Sequence, residues 1–68
     1  MDDAQFGSVM RAVRLRRGLT QEQLAQAAQL DPKHVQLIEG GKTNTTVASL
    51  VGIARGLGVT ISVLMEGV

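Results

Sequence analysis

Apolar positions recur every three or four residues along most of the chain, then alternate near its end. Phe6, Met10 and Val13 form the first stripe and predict a helix from about Asp3 to Arg17, capped by Asp2 or Asp3 and closed by Gly18. Thr20 followed by Gln23 is a capping box that opens a second helix, whose apolar face is Leu24, Ala25 and Ala28. Small alanines on that face let another helix approach closely. Leu30 falls in a turn. Asp31 then caps a third helix, and Pro32 takes its first position, where a missing N–H costs nothing.

Val35 and Ile38 point the third helix at the core, and Gly40 and Gly41 stop it. Between Ala28 and Asp31 there is room only for a tight turn, so the second and third helices cross steeply. Two short helices joined in that way form a helix-turn-helix, here over 20–40. A fourth helix follows a Thr45 or Thr46 cap, with Val47, Leu50, Ile53, Ala54 and Leu57 on its inner face. Gly52 and Gly56 interrupt it, each at about 1 kcal/mol against alanine, and imply a close contact.

The segment VTISVLM changes period. Val59, Ile61, Val63 and Met65 share one side of an extended chain, and its β-branched content predicts a strand over about 60–65. A short fifth helix carrying Ile61, Leu64 and Met65 is the alternative. A lone strand leaves its edges unpaired. Pairing with the same strand of a second copy across a two-fold axis repairs this, which makes Val59, Ile61, Val63 and Met65 the candidate dimerisation residues.

The chain has 68 residues, so one domain over 1–68 is expected, and a core this small gains from a partner copy. It has no cysteine and one histidine, which removes disulfides and thiolate metal sites. No cofactor or metal is implied. Formal net charge is only +1, but six of the seven basic residues lie before residue 43, so a basic face can exist without a basic total. No apolar run reaches the roughly 20 residues of a membrane helix, and the expected location is cytoplasmic.

The third helix carries the candidate chemistry. The major groove of B-form DNA admits one helix, and the second helix of a helix-turn-helix offers its outer face to base edges. Setting aside Val35 and Ile38 leaves Pro32, Lys33, His34, Gln36 and Leu37 as candidates for DNA binding. Lys33 suits guanine or a phosphate, Gln36 suits adenine or the backbone, and Leu37 suits a thymine methyl. Gln21, in the first turn of the second helix, suits a phosphate, and Lys42, Thr43 and Asn44 add exposed donors after the glycines. Arg14 and Glu39 sit on facing inner sides and predict a partly buried ion pair joining the first helix to the third. An exposed polar face with no partner is the competing reading of the same residues. Gly41-Lys42-Thr43 is not a nucleotide loop, because position 36 is Gln where that motif requires Gly. No nucleophile or acid–base constellation is present, so the chain is not expected to be an enzyme.

Arg14, Gly18-Leu19-Thr20-Gln21, Leu24-Ala25, Leu30, Val35, Glu39 and Gly41 together resemble the Cro/C1-type, or Xre, helix-turn-helix family over about 6–59. The resemblance implies an all-α, lambda-repressor-like bundle of four to five helices. It implies a homodimer that reads an inverted-repeat operator in double-stranded DNA and represses transcription. It assigns Gln21 to a phosphate, places Lys33, Gln36 and Leu37 near bases, and implies the Arg14–Glu39 pair. The segment NTTVASLVGIARGLGVTISVL, 44–64, is similar to HipB-type antitoxins of the same family, which implies a C-terminal dimer strand and a HipA-like kinase toxin as partner. Pro32 and Leu37 stand where many members carry polar base readers. A protein-interaction module on the same scaffold is the alternative function.

Overall fold

The computed structural model describes residues 2–67. Five helices follow in order: α1 (Asp3–Arg16), α2 (Gln21–Ala28), α3 (Pro32–Glu39), α4 (Val47–Leu57) and α5 (Ile61–Glu66). Each begins at the side chain its sequence supplies. Asp2 accepts from Ala4 and Gln5 N–H, Thr20 and Gln23 close a full capping box, Asp31 accepts from Lys33 N–H, and Thr46 accepts from Ser49 N–H.

Phe6, Met10, Leu24, Val35, Ile38, Ile53, Leu57 and Leu64 are fully buried and make one core. The α1 stripe runs Phe6, Met10, Arg14, with Val13 only half-buried at its edge. On α4, Ile53, Ala54 and Leu57 are buried and Leu50 packs against the core as expected, but the first turn differs. Val47 is 78% exposed, and Ser49 is buried in its stead. Val47 and Ser49 are two residues apart, hence on nearly opposite sides of a helix. The Thr46 hydroxyl bonds the Ser49 hydroxyl at 3.0 Å, which holds Ser49 inward beneath the cap.

The glycines inside helices mark where backbones touch. A Cβ at Gly52 would lie 2.8 Å from the Ala28 carbonyl oxygen, and one at Gly56 would lie 3.2 Å from Ala28 N. The alanine face of α2 and the glycines of α4 therefore form one close helix–helix contact. Gly7 does the same for α1 and α3: its Cβ would meet the carbonyl oxygens of Ile38 and Glu39. The Gly7 contact sets α3 against α1, and the glycines of α4 set that helix against α2.

The C-terminal strand does not form. Residues Ile61–Glu66 are helical, and no strand occurs among the described residues. Three local facts explain the outcome. Gly58, at φ +71°, ends α4 in the left-handed region and turns the chain. Thr60 then caps a new helix by accepting from Val63 N–H at 3.3 Å. Leu64, which an extended chain would put opposite Val63 and Met65, is instead fully buried in the core. The alternating residues consequently do not share one face: Ile61 and Met65 fall one turn apart on α5, and Val63 falls on the other side. Val59 packs half-buried against the core, while Ile61, Val63 and Met65 are 37%, 43% and 36% exposed at different angles around α5. No helix is long and apolar enough to cross a membrane among the described residues.

Candidate nucleic-acid interface

The join between α2 and α3 is three residues long, 29–31. Gln29 takes a left-handed conformation, φ 58°, and Leu30 N–H returns to the Ala25 carbonyl at 2.8 Å. A non-glycine residue in that region is uncommon, and nothing in the sequence marked it beforehand. The turn aims α3 across α2 and leaves one side of α3 uncovered.

That side carries the expected residues. Pro32, Lys33, Gln36 and Leu37 are all exposed, Leu37 at 38%. The Lys33 ammonium and the Gln36 amide have no hydrogen-bond or ion-pair partner among the described residues, so both are available to a ligand. His34 is half-buried on the flank nearer the core. Beyond α3, Lys42 and Asn44 are exposed and Thr43 is half-buried. Lys42 N–H caps the helix by donating to the Leu37 carbonyl at 2.9 Å, which holds the start of this loop beside the exposed face.

Behind the face lies the ion pair. Arg14 Nε donates to Glu39 Oε2 at 2.7 Å, and a second guanidinium nitrogen donates to Glu39 Oε1 at 3.1 Å. The remaining arm of Arg14 donates to the Leu19 carbonyl at 2.8 Å. Both side chains are nearly buried, at 9% and 3% exposure. The forked geometry joins α1, the turn after it and the end of α3.

Gln21 enters this network in a way the sequence did not show. Its amide Nε2 donates to Glu39 Oε1 at 3.1 Å. The side chain assigned to a phosphate is thus already held by α3, with one amide hydrogen left over. The Gln21 and Glu22 backbone N–H groups at the start of α2 have no intramolecular partner among those described, as expected for a first helical turn. Gln21, Gln36, Glu39 and Gly40 line a shallow recess of about 280 Å³ together with Arg11 of α1. Arg11 was not singled out by sequence; its position three residues before Arg14 was the available signal.

A family profile described as helix-turn-helix matches residues 10–64. The chain belongs to the Cro/C1-type helix-turn-helix family. Membership places it among helix-turn-helix DNA-binding transcription regulators. It is similar to the control protein C.MunI of Mycoplasma sp, 34% identical over 64 residues that cover 93% of this chain and 86% of that one. It is also similar to the HTH-type transcriptional regulator DdrOP3 of Deinococcus deserti, 36% identical over 59 residues. That match covers 87% of this chain but 46% of the relative, so the chain spans about half of DdrOP3. Among solved structures, the restriction-modification controller protein C.AhdI of Aeromonas hydrophila superposes with a TM-score of 0.90 at 32% identity, over 93% of this chain and 96% of that one. These relatives carry regulator and controller names, not antitoxin names.

Proposed function

We propose that this Cro/C1-type chain is a repressor that binds an inverted-repeat operator as a homodimer, with α3 of each copy in the major groove. The uncovered side of α3 carries the reading: a narrow helix with Pro32, Lys33, Gln36 and Leu37 outward, backed by the close Gly7 contact from α1 and a nearly buried ion pair. Lys33 and Gln36 supply donors to base edges, and Leu37 supplies apolar contact to a thymine methyl. Gln21 and the 42–44 loop flank the helix and contact phosphates, which fix register without reading sequence. Nothing in this role calls for catalysis, and we read the chain as a binding protein and not an enzyme.

The second copy docks on the exposed apolar side of α5. Ile61 and Met65, one helical turn apart, give it a self-complementary patch. This replaces the strand pairing expected from sequence. The HipB-type likeness of 44–64 leaned on that strand, so the helix weakens the case for a HipA-like kinase toxin. Likeness to controller proteins over most of their length favours a restriction–modification operon as the genetic context.

The test is affinity for the duplex upstream of this chain's own coding sequence against a scrambled duplex, by fluorescence anisotropy. The upstream duplex is expected to bind at least about a thousandfold more tightly. The Gln36→Ala variant is expected to lose about 1–3 kcal/mol on the upstream duplex and little on the scrambled one. Equal affinity of the unmodified protein for both duplexes rejects the repressor reading and leaves the interaction-module alternative.

A further inference from the structure

We infer that Arg11 completes a seat for a backbone phosphate in the recess between α1, α2 and α3, extending the DNA contact from the helix-turn-helix to the first helix. The inference rests on the DNA-binding reading above, and it concerns a residue that reading did not use.

The recess brings together three helices. Arg11 comes from α1, Gln21 from the first turn of α2, and Gln36, Glu39 and Gly40 from the end of α3. Its acidic member is Glu39, which on its own would repel an anion. Both carboxylate oxygens are already engaged: Oε2 by Arg14, and Oε1 by Arg14 and by Gln21. The pair is close to neutral as a unit. The end of α3 is also masked, because Gly40, Gly41 and Lys42 N–H groups donate back to the Gln36, Ile38 and Leu37 carbonyls. Glu22, the acid on the first turn of α2, does not line the recess.

The unbalanced charge that remains in the recess belongs to Arg11. Of the other arginines of α1 and its cap, Arg14 holds Glu39, Arg17 donates to the Gly58 carbonyl at 3.2 Å, and Arg16 lies outside the recess. Arg11 is exposed and makes no hydrogen bond or ion pair among the described residues. A guanidinium presents a planar fork that matches phosphate oxygens. Beside it are the spare amide hydrogen of Gln21 and the amide of Gln36. Gln36 also belongs to the face offered to base edges, so an anion here lies next to a base edge. In a duplex, that anion is the backbone phosphate.

The role separates from general charge by a comparison on one helix. Arg16 carries the same charge on α1 but lines a different groove, between α1 and α5, with Val9, Val13 and Val63. Arg11→Gln, Arg11→Lys and Arg16→Gln are each titrated with potassium chloride on the upstream duplex and on the scrambled one. Circular dichroism confirms that each variant is folded.

Loss of one phosphate contact lowers the slope of log K against log salt by about 0.9 per protomer, or ~1.8 for a bound dimer. Arg11→Gln is expected to show that drop on both duplexes, because a phosphate carries no sequence. Arg11→Lys restores most of it, and Arg16→Gln leaves it unchanged. An unchanged slope in Arg11→Gln overturns the seat, and so does an equal drop in Arg16→Gln. If the unmodified protein fails to prefer the upstream duplex, the operator reading falls, and the slope on the scrambled duplex still decides the role of Arg11.

Discussion

Glu39→Ala is expected to destabilise the fold by about 3–5 kcal/mol, because it leaves the Arg14 guanidinium nearly buried without its partner. A chain of this length has a total stability of roughly 3–10 kcal/mol, so the loss is a large share of the whole. Each kcal/mol shifts the melting point of such a domain by about 4–8 °C, which makes thermal circular dichroism a sufficient readout. The size of the loss does not measure the worth of the pair. Replacing both members with apolar residues of similar volume, Arg14→Met with Glu39→Leu, is expected to recover most of the stability. The double variant still lacks the carboxylate that holds Gln21. It is therefore expected to fold well yet bind DNA more weakly, and that split between stability and affinity distinguishes the network's two roles.

Leu64→Ala is expected to cost about 2–5 kcal/mol, the range for emptying a core position. Leu64 is fully buried, although it lies in the last helix and only a few residues from the end of the described chain. Val63→Ala, one residue away, removes a 43% exposed side chain and is expected to cost less than about 1 kcal/mol. Urea denaturation of the two variants side by side makes the comparison. The opposite ranking would fit an extended C-terminal segment, in which Val63 and not Leu64 faces its partner. The comparison thus tests the helix directly, without requiring that the dimer form.

Legibility differed along the chain for physical reasons. The starts of α2 and α3 were plain because their signals are local: Thr20 with Gln23, and Asp31 with Pro32, satisfy N–H groups within three residues. The Arg14–Glu39 pair was readable because both residues fall on inward positions of well-phased helices. The C-terminal segment was misread because strand propensity in Val59, Ile61 and Val63 competes with a tertiary demand that propensity does not contain. The core needed Leu64, and only a helix after Thr60 delivers it. Val47 was misplaced for a similar reason, since the cap at Thr46 fixes the phase of α4 and turns Ser49 inward. Gly52 and Gly56 announced a contact, but the sequence could not say that its other half was Ala28. The hold of Glu39 on Gln21 joins residues 18 positions apart and has no local signature.

The resulting picture ties these parts to one surface. Gly7 against α3 and Gly52 against α2 bring the supporting helices close, and Arg14 and Glu39 lock the end of α3. A recognition helix held in this way loses little further freedom when it meets a ligand, so more of its contact energy appears as affinity. In the proposed role, residues at its exposed side set which sequence is bound, and residues behind it set how firmly the helix is presented.

The most direct measurement is the change in backbone amide resonances as the upstream duplex is added to isotopically labelled protein. The account predicts the largest changes at Gln21, at 33–37 on α3 and at 42–44, with little change on the outer side of α4. Changes concentrated on α4 and α5 while α3 stays unperturbed would contradict it.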